Sequence, residues 1–154
     1  MNDTQKILVT RDGLAELKKE YDDLLNKKRP EMVDRLAAAR SQGDLAENSE
    51  YTSAKQDLSF IDGRIAELEA VLHDAKVVSY HSKSKVDVGC KVTLHIDGKK
   101  EVFTIVGEWE ADPMQKKISH SSPIGKALIG RKVGEKVEVQ APVGKVLYKI
   151  LSIE

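Results

Sequence analysis

Gly43-Asp44-Leu45-Ala46-Glu47-Asn48-Ser49-Glu50-Tyr51 places three carboxylates within seven residues, between two long runs of helical character. Gly43 and Asp44 are turn and cap residues. The acids therefore fall at the bend of a helical hairpin, far from any hydrophobic core. On the C-terminal side, Tyr51, Ala54, Leu58, Ile61, Ile65, Leu68, Leu72 and Ala75 step by three and four without a miss, a heptad seam. On the N-terminal side, Thr10 is a candidate N-cap, and Leu14, Leu17, Tyr21 and Leu24 form one helical stripe. The next stripe position is Lys28, closely followed by Pro30, and apolar positions resume at Met32, Leu36 and Ala39. Pro30 removes a backbone donor, so it predicts a bend or a local register change. Ser41-Gln42-Gly43 suits a helix end. Arms of about 30 residues would each extend roughly 45 Å.

The pattern changes after Val78. His81 to Lys85 is polar and without period, and reads as part of a linker over 79–84. Lys91 to Ile96 alternates polar and apolar, Asp97-Gly98 is a hairpin signal, and Val102 to Val106 supplies the partner strand. Ser122 and Pro123 open a short helix through Leu128 that Gly130 stops. Val137 to Val139 and Val146 to Ile153 are two further strands around Ala141-Pro142-Val143-Gly144. The expected class is α+β: a helical coiled-coil hairpin over 1–78, then a small, mainly antiparallel sheet with one helix over 85–154.

Composition narrows the function. Lys and Arg total 25 against 25 Asp and Glu, so net charge is zero. Residues 1–78 carry 12 basic against 16 acidic groups, and residues 79–154 carry 13 against 9. A protein gripping DNA along its length needs a stronger basic excess, so no autonomous duplex DNA binding is expected. The single cysteine, Cys90, cannot form an internal disulfide or a thiolate metal site, and reads as a buried thiol. His73, His81, His95 and His120 show no ligand spacing. No apolar leader and no run of about 20 apolar residues is present, so the expectation is a cytoplasmic chain with no membrane partner.

Asp44 and Glu47 admit two readings that can both hold. Asp-x-x-Glu opening a helix is a capping box, favoured by the helix dipole. An exposed pair of carboxylates is also part of a Mg2+ site, too few to hold the ion alone. Such a pair could complete a site offered by another protein, as in two-metal phosphoryl chemistry.

The tip sequence resembles that of bacterial Gre transcript cleavage factors, on the GreA branch. The likeness covers nearly the whole chain. Thr10, Gly13 and Leu17 match the family's opening, Arg29-Pro30-Glu31 its mid-arm motif, and Ala39-Arg40 the approach to the tip. Ile105-Val106-Gly107, Glu110-Ala111-Asp112, Ile118-Ser119, Ser122-Pro123-Ile124 and Ala127-Leu128-Ile129-Gly130 follow in family order.

The resemblance implies a transcription elongation factor that is not itself an enzyme. Such factors enter the secondary channel of bacterial RNA polymerase and stimulate cleavage of the 3′ end of backtracked RNA. It implies that Asp44 and Glu47 are the catalytic acids, which help bind a second Mg2+ supplied at the polymerase active site and hold none independently. Glu50 falls outside that pair and tunes local charge. Arg40 and Lys55 occupy the family's RNA-contacting positions, against the plainer reading of a solvated helix face. The second domain is implied to be FKBP-like and to dock on the channel rim through the Ser119, Ser121, Ser122 and Pro123 segment. Helix capping is the competing account of Ser122 and Pro123. Some relatives occupy the channel and only inhibit; the presence of both Asp44 and Glu47 favours cleavage. A prolyl isomerase is the third reading, thinly supported by Phe103, Trp109, Tyr80 and Tyr148.

Overall fold

The computed structural model describes residues 6–43, 48–78 and 83–154. The chain forms two compact units, Ala15–Asp74 and the combination of Met1–Leu14 with Ala75–Glu154. By packing, residues 6–14 and Ala75 to Val78 go with the sheet domain.

The first unit is a helical hairpin. Helix α1 (Arg11–Asp23) runs through a π-helical turn, Leu24–Lys28, into α2 (Arg29–Arg40), and α3 (Ser49–Asp74) returns. The π turn is the expected register change. The Arg29 N–H donates to Leu24 O, a bond to the fifth residue back. Pro30 has no N–H to continue the α pattern, so the wider turn forgoes little. On α3, Ala54, Ile61, Ile65, Leu68 and Val71 are buried. Four of these were expected; Val71 replaces Leu72, which is only half buried. A straight helix drifts about 20° per heptad relative to a seven-residue repeat, and Val71 beside Leu72 lets the apolar face follow that drift.

Polar contacts across the hairpin fix its antiparallel register. The Tyr21 hydroxyl donates to Glu69 at 2.7 Å, Arg64 forks onto Glu20 at 2.8 and 3.1 Å, and Arg29 donates to Asp62 at 2.6 Å. From Tyr21–Glu69 to Arg29–Asp62 the partners move forward on one arm and back on the other. The contacts are exposed or half buried and each stabilises little alone, but a slipped register would break all of them together.

The second unit holds two sheets. Strand β1 (Ile7–Val9) pairs in parallel with β2 (Ala75–Val77). Ala75, which ends the heptad seam in the sequence, is thus strand rather than helix. The five-stranded sheet comprises β3 (Lys91–Ile96), β4 (Lys99–Val106), β5 (Lys117–Ser119), β6 (Lys136–Ala141) and β7 (Gly144–Ile153), in the order β5-β4-β3-β7-β6. Only the β4–β5 pair is parallel. The β3–β4 hairpin turns on Asp97 (φ 46°) and Gly98 (φ 80°), the double positive φ of a type I′ turn. One face of the sheet packs Val92, Leu94, Ile105, Val137 and Ile150 with Val86, Val88, Cys90 and Leu128, the last from helix α4 (Pro123–Leu128). Burial pushes the Cys90 thiol above its ordinary pKa.

Candidate functional site: the hairpin tip and the sheet-domain groove

Helix α2 ends in a wound-down turn. Ser41 N donates to Ala37 O at 3.1 Å, Gln42 N to Ala39 O at 3.2 Å, and the Ser41 hydroxyl to Ala38 O at 2.7 Å. Gly43 follows at φ 110°, a left-handed conformation that suits glycine. Asn48 caps α3 by accepting from Tyr51 N at 3.1 Å. Its amide also crosses to the other arm and donates to Ala39 O at 2.7 Å. One side chain therefore ties the last turn of α2 to the first turn of α3.

A second tie lies one turn lower. Arg35 donates to Glu50 and Asp57 on α3, the latter at 3.0 Å, and its guanidinium reaches Ser53 at 3.4 Å. The Arg35 hydrogen bond holds the Glu50 carboxyl below its ordinary range. Glu50 is thus engaged as a cross-arm acceptor. The Arg40 guanidinium sits 5.9 Å from the Tyr51 ring centroid, and Lys55 lies one helical turn beyond Tyr51 on an exposed face. The structure thus gathers Arg40 and Lys55 around Tyr51 near the tip.

Asp44 and Glu47 lie outside the described residues, and so does the capping box expected of them. Among the described residues, no group of three His, Cys, Asp or Glu could hold a metal ion. Asp44 and Glu47 are the residues whose chemistry suits one: carboxylate oxygens are hard donors of the kind Mg2+ takes.

The segment entering α4 is tied down by its own hydroxyls. Ser119 is 8% exposed, and its hydroxyl accepts from Ser121 N at 3.1 Å and lies 2.8 Å from the Ser121 hydroxyl. The Ser122 hydroxyl donates to Ser119 O at 2.7 Å and accepts from Gly125 N at 3.1 Å as the N-cap. Capping therefore does account for Ser122, while Pro123 is exposed. Beside this segment runs a groove of about 400 Å³, lined by Phe103, Pro113, Ile118, Ser119, Ser122, Ile124 and Tyr148 among others. Met114, at 93% exposed, follows Pro113 of that wall. Its apolar members come from five separate elements, so their meeting in one groove is a product of the fold. Trp109 lines a different cleft, with Leu8 and His120, and Tyr80 lies outside the described residues.

The sheet domain also explains two family-matching residues with no chemistry of their own. The Glu110 carboxylate accepts from Thr10 N at 2.9 Å, from the Thr10 hydroxyl, and from Gly107 N at 3.0 Å. A Cβ on Gly13 would lie 1.7 Å from that carboxylate, and one on Gly107 would lie 2.0 Å from Leu8 O. Thr10 in turn caps α1, accepting from Gly13 N at 3.1 Å.

Residues 7–77 match the N-terminal domain model of transcription elongation factors, and residues 81–154 match the GreA/GreB C-terminal model. The chain is 46% identical over 154 residues to the transcription elongation factor GreA of Thermoanaerobacter pseudethanolicus, covering 97% of this chain and 98% of that one. It is 47% identical over 149 residues to GreA of Bacillus velezensis, covering 94% of each. The crystal structure of GreA factor homolog 1 (Gfh1) of Thermus thermophilus is 27% identical, with a TM-score of 0.47, covering 97% of this chain and 99% of that one. With both domains matched in order, the chain belongs to the GreA/GreB transcription elongation factor family, on its GreA branch.

Proposed function

We propose that the chain stimulates internal cleavage of backtracked RNA by bacterial RNA polymerase, entering the secondary channel tip first. Family members act on RNA polymerase in transcription elongation, as cofactors of its own cleavage reaction rather than as enzymes. Among the described residues no helix is long and apolar enough to cross a membrane, and a cytoplasmic setting fits an elongation factor.

The observation that carries this reading is the closed end of the hairpin. Gly43 and Asn48 bound a four-residue segment holding two carboxylates, and Asn48 and Arg35 tie the arms together beneath it. In this reading Asp44 and Glu47 present oxygen ligands to a second Mg2+ at the polymerase active site. Two carboxylates fall short of the about six oxygens that ion takes, so the polymerase, RNA and water complete the set. The ion, when bound there, supplies Lewis-acid activation of water. Arg40 and Lys55 lie where they can touch the phosphates of the extruded RNA. The Ser119–Pro123 segment and its apolar groove form the docking surface on the channel rim, where Pro123 and Met114 offer exposed apolar contacts.

The test is cleavage of RNA in a stalled, backtracked complex. Asp44→Asn and Glu47→Gln should each abolish stimulation, by more than about 100-fold for a lost oxygen ligand, while polymerase binding is kept. Retained cleavage in both single variants would reject the metal role and leave a channel-binding regulator without cleavage activity.

A further inference from the structure

We propose that the open face of the five-stranded sheet is a contact surface for the phosphate backbone of duplex nucleic acid, centred on a row of three lysines and a histidine across four strands. The face opposite the core carries Lys136 of β6, Lys149 of β7, His95 of β3 and Lys100 of β4. These four are direct cross-strand neighbours: Lys136 pairs with Lys149, Lys149 with His95, and His95 with Lys100. With strands about 4.8 Å apart, the row spans about 14 Å, long enough to meet several phosphates. All three lysines are exposed, and His95 is partly so. None of the four has an ion-pair partner among the described residues. Within the strands, the carboxylate on this face is Glu138, which Lys145 meets at 3.5 Å.

Like charges placed directly opposite one another destabilise a sheet, so the row calls for an explanation. Lysine on an edge strand guards against edge-to-edge aggregation, and that accounts for Lys136, since β6 is an edge. It does not account for Lys149, which sits on interior strand β7 directly opposite Lys136. The zero net charge of the chain hides this face, because the lysines are far apart in sequence and only the strand register aligns them.

Composition decides the partner. Protein interfaces are rich in aromatic residues and arginine and poor in lysine. The groove beside α4, with Phe103 and Tyr148, fits that description; the cation row does not. Single-stranded nucleic acid is held on aromatic platforms that stack with bases, and the row offers no phenylalanine, tyrosine or tryptophan. A duplex has its bases already stacked and presents phosphates outward, which lysine meets as a point charge. The contact is independent of sequence and weak at physiological salt, and it uses no residue of the hairpin tip.

The experiment is titration of a fluorescent 20-base-pair duplex, about 20 being enough to cover the face, with the full chain across a salt series. Each lysine–phosphate contact adds about 0.9 to the slope of log K against log salt, so the triple variant K100Q/K136Q/K149Q should lose about 2.7 from that slope. The variant K18Q/K19Q, at exposed positions of α1, should keep the wild-type slope. Native folding of the triple variant is checked by its unchanged Trp109 fluorescence. No duplex binding at the lowest salt, an unchanged slope in the triple variant, or tighter binding of single-stranded RNA than of duplex would overturn the proposal. So would equal competition by polyglutamate, which would point to an acidic protein segment instead.

Discussion

Replacing Gly13 with alanine should destabilise the native chain yet stabilise a chain that lacks the Glu110 carboxylate. The three nearest atoms to a Cβ built on Gly13 all belong to Glu110, the closest at 1.7 Å. Alanine therefore forces the carboxylate to swing away. In doing so Glu110 releases Thr10 N, the Thr10 hydroxyl and Gly107 N. A hydrogen bond to a charged group contributes about 1.5–3 kcal/mol when buried, and this site is half buried. Three such bonds at the low end, with partial rescue by water, give about 3 kcal/mol for Glu110→Ala. Alanine in a helix is favoured over glycine by up to about 1 kcal/mol, so Gly13→Ala in the native chain should cost about 2 kcal/mol.

In the Glu110→Ala background the obstacle is gone, and Gly13→Ala should recover up to about 1 kcal/mol. Trp109 is the sole tryptophan and lies in the same unit, beside Glu110, so its fluorescence during urea unfolding reports that unit. With a urea m-value of about 2 kcal/mol/M, Glu110→Ala should lower the midpoint by about 1.5 M. Equal destabilisation by Gly13→Ala in both backgrounds would refute the argument, because it would show that alanine is rejected by something other than this carboxylate.

Two further perturbations address the tip. Asn48→Ala should cost about 1 kcal/mol of hairpin stability through the lost cap and reduce stimulated cleavage while polymerase binding persists. Asn48→Asp keeps the acceptor for Tyr51 N but loses the donor to Ala39 O, so it should restore helix stability by circular dichroism without restoring cleavage; full rescue would show that the cross-arm bond is dispensable. Glu50 has its folded pKa lowered by Arg35. Its contribution is therefore present above the ordinary Glu range and lost as pH falls through that lowered value. Far-UV circular dichroism should show hairpin helicity declining on that acid limb, and Glu50→Gln should flatten the decline.

The hairpin was legible because its evidence is local: a three-four apolar step, a proline, and glycine closing the arm. The β3–β4 hairpin was legible for the same reason, since Asp97-Gly98 carries the turn in two residues. The β1–β2 pair was not. Three residues carry no period, and Ala75 happens to continue the helical step of the seam into what is strand. At the site, the carboxylates could be read as a motif, but what holds their flanks could not. Asn48 reaches a backbone carbonyl on Ala39, and a carbonyl leaves no mark in sequence. The apolar groove and the cation row are likewise products of register, assembled from residues distant along the chain.

One misfit in the sequence did carry structural information. The N-terminal arm buries or half-buries Leu17, Tyr21 and Leu24, then Met32, Leu36 and Ala39. Leu24 to Met32 is a step of eight residues where a heptad seam takes seven. An uninterrupted α-helix would carry that extra residue as a rotation of about 100°, turning Met32, Leu36 and Ala39 away from α3. The π turn at Leu24–Lys28 absorbs it, since one wider turn accommodates one added residue. Lys28, on the original stripe, is accordingly exposed. Pro30 stands where the α bond it cannot make has already been given up, so the proline and the phase slip are two marks of one event. Without that turn, Ala39 would not face the return arm, and Asn48 would have no carbonyl to hold.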